Sequence, residues 1–322
     1  MASSKVTNKV VTITLNPALD LTGQLGTLTK GTVNLVSSSS IHAAGKGVNV
    51  AKVLSDLGAD VTVTGFLGKN NPELFQQLFH DINAKNEFIY VDGSTRINVK
   101  LVEDNGEVSD LNFPGVQVTS QDIANFEATL IRLAKEHDYF VFAGSLPKGI
   151  TPSQSAKWIQ LLHDLGKKVI FDSSREALAA GLESKPWLIK PNEEELGEFI
   201  GKKLTTPEDC QHAALELSDK GIDNIVISMG PQGVMWLNQG EWLQSQPPRM
   251  KVVSTVGAGD TLVAGLCWGH MQAMDKPSLL KQATALSALA VSQIGVGVAN
   301  TNQLNDMIQQ IQLQTLCSAQ SK

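Results

Sequence analysis

An α/β fold with a mainly parallel sheet is what this sequence predicts, on three observations. Short β-branched runs alternate with longer stretches of helical periodicity along the chain. Most of those runs are apolar nearly throughout, as strands covered on both faces must be. Two other stretches alternate apolar and polar residues instead, and predict a small sheet standing off the main body.

Six runs read as strands of the main sheet: VVTITL (10–15), VTVTGF (61–66), YFVFAG (139–144), KVIFD (168–172), WLIKP (187–191) and NIVISMG (224–230). Helical patterns separate them. In GVNVAKVLSDLG (47–58) the residues Val50, Val53, Leu54 and Leu57 recur at helical spacing, and Gly58 can close the helix. SQDIANFEATLIRLAKEH (120–137) and TPSQSAKWIQLLHDLG (151–166) behave likewise. TPEDCQHAALELSDKG (206–221) opens with Thr206 as N-cap and Pro207 at the first helical position. GTVNLVSSSSIHA (31–43) and STRINVKLVEDNGEVSDLNF (94–113) read as antiparallel strand segments of a candidate lid, the second turning at Asn105-Gly106. We expect one domain over 1–322, with lid strands from about 21–43 and 88–113.

The chain of 322 residues is 42% hydrophobic, enough for a large core. Its net charge of −6 argues against a general nucleic-acid or membrane-surface binder, yet leaves a local anion site open. No apolar run is long enough to span a bilayer, and MASSKVTNKVV at the start has no secretory pattern. Cys210, Cys267 and Cys317 are scattered and form no CxxC or Cys/His cluster, so the expectation is a reducing, cytoplasmic setting without a zinc site. His42 and His137 lack partners at a recognisable spacing and read as packing or surface residues.

The stretch STVGAGDTLVAG (254–265) carries the chemistry. A helix N-terminus offers unpaired N–H groups and partial positive charge, and glycines let an anion come close. Gly257, Ala258 and Gly259 can form such a cradle, with Asp260 in the first turn to accept a proton from a hydroxyl. Together they suggest phosphoryl transfer. The helix terminus should favour ionised Asp260, which makes it a weak base, so positioning would count for more than basicity. Locally, Gly-Ala-Gly-Asp is equally a plain strand-to-helix turn. HAAGKGVNVAK (42–52) is a second glycine turn opening a helix; it lacks the Walker A spacing and the dinucleotide fingerprint. NPALD (16–20) follows the first strand, so Asp20 is expected at the carboxyl end of a strand, where open α/β sheets place ligands.

TLNPALD, AGKGVNVAKVLSDLG, GSLPKG (144–149), KPNEEEL (190–196) and STVGAGDTLVAG occur in that order, and together they resemble the PfkB, or ribokinase-like, carbohydrate kinases over essentially the whole chain. The resemblance implies a ribokinase-like three-layer αβα sandwich with a β-sheet lid, and a kinase using ATP and Mg²⁺. Asp260 matches the family's catalytic base, and Gly257, Ala258 and Gly259 match its anion hole. Asp20, Gly45, Lys46 and Asn49 match positions that hold sugar hydroxyls. Arg96 matches a lid residue on the substrate phosphate, a task suited to a planar two-pronged donor. Lys100 shares the Arg96 face; it can add charge or be a solvated strand residue. Asn192 and Glu195 match the N-x-x-E motif that organises magnesium and phosphate through water. Ser228, Gly230 and Gly233 of SMGPQG, with Thr255 and Val256, match the nucleotide side, and the helical run 279–293 would wall the adenine.

Two departures stand out. Ala44 replaces a glycine common in the sugar loop. Ser254-Thr255 replaces the Asp-Thr that helps build a monovalent-cation loop, which puts potassium dependence in doubt. Arg175 in FDSSREAL (171–178) has two readings, a phosphate contact or an ion pair near Asp172.

Within the family, TRINVKL (95–101), HAAGKG (42–47) and FDSSREAL resemble members that act on fructose 1-phosphate; that resemblance, and no motif spacing, implies fructose 1-phosphate as acceptor, phosphorylated on its C6 hydroxyl. Tagatose 6-phosphate and fructose 6-phosphate are the alternatives, and a catalytically silent sugar-phosphate sensor is the reading from another class. The missing G-x-G-x-x-G after the first strand argues against a dehydrogenase. The resemblance also implies a homodimer through the lid, with no nucleic-acid or membrane partner.

Overall fold

Each apolar run feeds two cores at once, because side chains alternate across a strand. The computed structural model describes residues 6–293, 295–298 and 300–316, so Cys317 lies outside the described residues. In β1 (Lys9–Thr14), Val11 and Ile13 join one core and Val10 the other. In β9 (Tyr139–Ala143), Phe140 and Phe142 join the first, and Tyr139, Val141 and Ala143 the second.

The main sheet also contains β4 (Asp60–Gly68), β5 (Lys85–Asn86), β6 (Ile89–Val91), β10 (Lys168–Asp172), β11 (Leu188–Ile189) and β12 (Asn224–Ser228). It is completed by β13 (Val234–Asn238), β14 (Glu241–Gln246) and β15 (Gln312–Leu316). Its order is β15-β14-β13-β12-β11-β10-β9-β1-β4-β5, with β6 pairing β4. Pairing is parallel from β12 to β5 and antiparallel from β12 to β15. The antiparallel extension was not expected. Its hairpin turns at Gln239 and Gly240, both at positive φ (53° and 79°), as a two-residue turn requires.

Helices cover both faces. On one lie α1 (Lys46–Asp56), α2 (Glu73–Asp81), α8 (Ala258–Met271) and α9 (Lys276–Ala290), with α10 (Thr301–Gln310) against α9. On the other lie α3 (Ser120–Leu133), α4 (Pro152–Asp164), α5 (Arg175–Leu182), α6 (Glu193–Ile200) and α7 (Pro207–Asp219). This is the expected three-layer αβα sandwich. The termini read from sequence have local causes. Gly58 closes α1, its N–H bonding Ser55 O while that of Ala59 reaches Leu54 O. Thr206 and Asp209 form a reciprocal capping box on α7.

A separate four-stranded sheet has the order β3-β2-β7-β8, formed by β2 (Ala18–Leu25), β3 (Ser38–Ala44), β7 (Arg96–Glu103) and β8 (Val108–Leu111). Two of its pairings are antiparallel, but β2 and β7 run parallel, which the sequence did not suggest. β2 begins at Ala18, so Asp20 lies within a strand of this small sheet and not at the carboxyl end of β1. The cause is Pro17, which interrupts the chain after β1 and restarts it as the alternating run ALDLTGQL. Residues 31–37 stay outside the strands, and β6 joins the main sheet.

Candidate active site

The loop after β14 delivers the chain to α8 through Gly257, the N-cap, at φ 82°. A Cβ there would lie 2.4 Å from Val296 Cγ2, so glycine meets both a left-handed backbone and a close approach. The first in-helix bond is Thr261 N–H to Gly257 O at 2.8 Å, which leaves the N–H groups of Gly259 and Asp260 without a partner inside the helix. α8 is apolar almost all round because it lies between α1, α9 and the sheet.

Asp260 is only 7% exposed, and Asn49 Nδ2 of α1 donates to its Oδ2 at 2.7 Å. Burial, seconded by the negative charge of Asp172, pushes its carboxyl up to about 6, against the Asn49 hydrogen bond and the charges of Lys46 and Lys190. The helix terminus alone predicted a strongly ionised, weak base; burial outweighs it. A carboxylate titrating there is ionised at neutral pH and basic enough to take a proton from a hydroxyl.

Asp172, the last residue of β10, is almost fully buried. Lys46 Nζ pairs with its Oδ2 at 3.2 Å and Lys190 Nζ with its Oδ1 at 3.6 Å. Burial opposes charge on Lys46, but Asp172, Asp260 and Glu195 hold its ammonium above the ordinary lysine range. Sequence reasoning missed both Asp172 and Lys190 as site residues. Arg175, offered a pairing with Asp172, is exposed and makes no ion pair among the described residues.

A cavity of about 1470 Å³ opens at the carboxyl ends of the parallel strands. Lys46, Asp172, Lys190, Asn192, Glu195, Ser228, Gly230, Gly233, Thr255, Gly257, Ala258, Gly259 and Asp260 all line it. Val256 is exposed and is not among the lining residues. Gly233 is sterically obligatory, since a Cβ would lie 1.9 Å from Ser245 O. Of the helical run 279–293, Thr284, Ser287, Ala288 and Val291 reach the cavity.

Asn192 and Glu195 form a capping box on α6: Asn192 Oδ1 accepts from Glu195 N at 2.7 Å, and Glu195 Oε2 accepts from Asn192 N at 3.0 Å. That leaves Glu195 Oε1 free at the cavity wall. No group of three or more His, Cys, Asp or Glu among the described residues could enclose a metal ion. This donor set fits Mg²⁺ held chiefly by phosphate oxygens and water, with Glu195 and Asn192 reached through that water.

Asp20, Arg96 and Lys100, predicted for the sugar side, lie outside this cavity. Asp20, Asn98, Arg96 and Lys100 share one face of the small sheet, where Asn98 Nδ2 donates to Asp20 Oδ1 at 3.2 Å. Asp20 also lies opposite His42, on the same face. Arg96 fastens the lid to the body: Nη2 donates to Asn16 O at 2.9 Å, Nε to Pro17 O at 3.3 Å and Nη1 to Phe113 O at 3.4 Å. Lys100 faces Asp110 at 3.8 Å. Gly45 is at φ 133°, and a Cβ there would meet Thr14 Cγ2 at 2.9 Å, so packing of the loop on β1 already demands glycine. Of the predicted sugar-side residues, only Lys46 lines the large cavity, and Asn49 joins the two sides through Asp260.

A buried carboxylate at a helix terminus, two lysines on a second carboxylate and a cavity at the strand ends of an αβα sandwich with a β lid define a sugar-kinase class of site. The chain belongs to the pfkB family of carbohydrate kinases, whose model matches residues 9–303. It is 66% identical to the 1-phosphofructokinase of Vibrio cholerae, over 97% of this chain and 98% of that one. It is 48% identical to the 1-phosphofructokinase of Escherichia coli, over 96% of this chain and 99% of that one. The structure of phosphofructokinase-2 from Escherichia coli in complex with potassium superimposes with a TM-score of 0.87 at 26% identity, covering 95% of this chain and 99% of that one.

Proposed function

We propose that this protein transfers the γ-phosphoryl group of ATP to the C6 hydroxyl of fructose 1-phosphate, giving fructose 1,6-bisphosphate and ADP. Asp260, buried beside the free N–H groups of α8, carries the reading of the reaction. The acceptor follows the relatives named 1-phosphofructokinase, which match nearly end to end.

The hydroxyl proton passes to an Asp260 carboxylate oxygen as the C6 oxygen bonds to the γ-phosphorus. The bond from that phosphorus to the β,γ-bridging oxygen breaks, and ADP leaves with its electron pair. Asn49 orients the base through its bond to Oδ2. The N–H groups of Gly259 and Asp260 receive charge that develops on the phosphoryl oxygens. Asn192 and Glu195 would hold Mg²⁺ through water, and the ion would supply neutralisation of phosphate charge. Asp20 accepts from sugar hydroxyls, while Arg96 and Lys100 face the 1-phosphate from the lid. Closure of that sheet excludes water and so limits idle ATP hydrolysis.

The other face of the lid suits a second copy of the chain. Leu21, Ile41, Ile97, Val99 and Leu111 share it, and Ile41, Ile97 and Leu111 are 43%, 40% and 49% exposed. In this reading the protein works as a homodimer joined through its lids, in the cytoplasm. No helix among the described residues is long and apolar enough to cross a membrane.

The test is coupled ADP release with Mg·ATP and fructose 1-phosphate, fructose 6-phosphate or tagatose 6-phosphate. We expect a large kcat/KM preference for the first. Preference for a 6-phosphate would keep the chemistry and replace the acceptor; binding without turnover of any would make the protein a sensor.

A further inference from the structure

One stripe of α1 bears on the reacting groups in two ways. Asn49, Lys52 and Asp56 follow one another at helical spacing, so they lie on one side of the helix. Asn49 holds Asp260 directly. Lys52 and Asp56 instead hold the backbone of residues 296–298, beyond α9. Lys52 Nζ donates to the Val296 carbonyl, and Val298 N–H donates to Asp56 Oδ2 at 2.8 Å. Each bond has a charged partner, which makes it the stronger kind. Between them lies Gly297 at φ 146°, where a Cβ would stand 2.7 Å from Lys52 Nζ and 2.9 Å from Asp56 Oδ2. The two side chains thus close on a backbone that leaves them room only because it is glycine.

The clasped segment backs the anion cradle. Val296 is half-buried and lies against Gly257, the N-cap of α8, on the side where a Cβ would be 2.4 Å from its Cγ2. The chain entering the cradle is tied to the same connection, since Val253 N–H and Ser254 N–H donate to Val291 O at 2.7 and 3.2 Å. Gly257 has no side chain to fix its left-handed turn, so its neighbours must set it. We propose that Lys52 is a positioning residue for phosphoryl transfer: it fixes the Gly257 turn through Val296, with Asp56 securing the far end of the clasp. α1 then sets the base and the cradle relative to each other. This rests on the kinase reading above and extends it to residues that are not among those lining the cavity. The effect falls on rate, because the N–H groups of Gly259 and Asp260 must meet the moving phosphoryl charge at a defined place, and a misplacement of about 1 Å can cost on the order of 10²-fold.

Amide hydrogen exchange of the full-length protein, free of ligands, tests the clasp without any acceptor. For Lys52→Met we expect the amides of Val298 and of Thr261, the first bonded N–H of α8, to exchange roughly tenfold faster, and those of α4 to be unchanged. Unchanged exchange at Thr261 overturns the proposal, and so does a uniform rise that includes α4. This arm stands whether or not any sugar phosphate is turned over, so the two readings fail separately. Steady-state rates with the acceptor that the wild type uses give the second arm. Lys52→Met should lose about tenfold in kcat with both KM values within about twofold, and Lys52→Arg, which can still donate to Val296 O, should keep most of the rate. The acid limb of kcat/KM should stay in place, because Asp172, Asn49, Lys46 and Lys190 are the groups bearing on the Asp260 carboxyl. Wild-type kcat in Lys52→Met, or a shifted limb, overturns the positioning role. If Lys52→Met does not fold, Val296→Ala is read in the same way. Where both fold, the double variant should cost little more than either alone, and fully additive losses overturn the shared route.

Discussion

Asn49 Nδ2 stands 2.7 Å from Asp260 Oδ2, across 211 residues of sequence, and donates to it. The bond favours the ionised form, while burial favours the protonated one. The pH profile of kcat/KM, which reports the free enzyme, should therefore rise through an acid limb with a midpoint near pH 6, where Asp260 loses its proton. Asn49→Ala should move that limb to higher pH. A limb that stays in place would show that the amide does not bear on the base.

Asp260→Asn should cost roughly 10²–10⁴-fold in kcat while sugar-phosphate binding persists. It should also stabilise the fold at neutral pH. The folded carboxyl titrates near 6 against 3.8 for the ordinary group, so ionisation above about pH 6 opposes folding, by up to about 3 kcal/mol. That penalty falls away as pH drops from 6 toward 3.8. Thermal melting should find the variant more stable than wild type at pH 7.5 and close to it near pH 4; normal turnover would remove Asp260 from the mechanism.

Gly257→Ala should lower kcat more than it lowers the melting temperature. The new methyl faces Val296 Cγ2, a side chain that can yield, but φ 82° remains strained for alanine by about 1 kcal/mol. Adding Val296→Ala should return much of the stability and little of the rate, if the cradle geometry is what suffers. Equal recovery of both would point to simple crowding.

Arg96→Ala should raise the KM for fructose 1-phosphate about tenfold or more and leave that for ATP nearly unchanged. Lysine at this position should not restore it, because one ammonium cannot reach the Asn16, Pro17 and Phe113 carbonyls together. An unchanged acceptor KM would leave Arg96 as a lid fastener only.

Ile97→Lys places a charge on the apolar face of the lid, opposite the face that carries Asp20. Sedimentation velocity should show the wild type as a dimer and this variant as a monomer at micromolar concentration. A wild-type monomer would dispose of the lid interface.

How much of this could be read in advance depended on how local each feature is. β1 and β9 were legible because a strand buried on both faces must be apolar throughout. α7 was legible because Thr206 and Pro207 announce it. β11 was overrun: only Leu188 and Ile189 pair, since Lys190 turns into the cavity and Pro191 has no N–H for the ladder. The glycine cradle and Asp260 are adjacent in sequence and stood out together. Asp172, Lys46 and Lys190 come from three separate segments, and no spacing rule brings two lysines to one carboxylate. What could have flagged them was charge at the edge of strongly apolar strands, in KVIFD and WLIKP, where burial demands a partner.

The sharing of β1 and β9 between two cores has a consequence for how the molecule comes apart. Neither helical layer can separate without stripping side chains from strands that the other layer also needs, so the sandwich should unfold as one cooperative unit. Amide hydrogen exchange should then report similar opening free energies for α4 on one side and α8 on the other. β3 and β8 are edge strands of a sheet that no helical layer sandwiches, and their amides should exchange far sooner, by fluctuations that leave the sandwich closed.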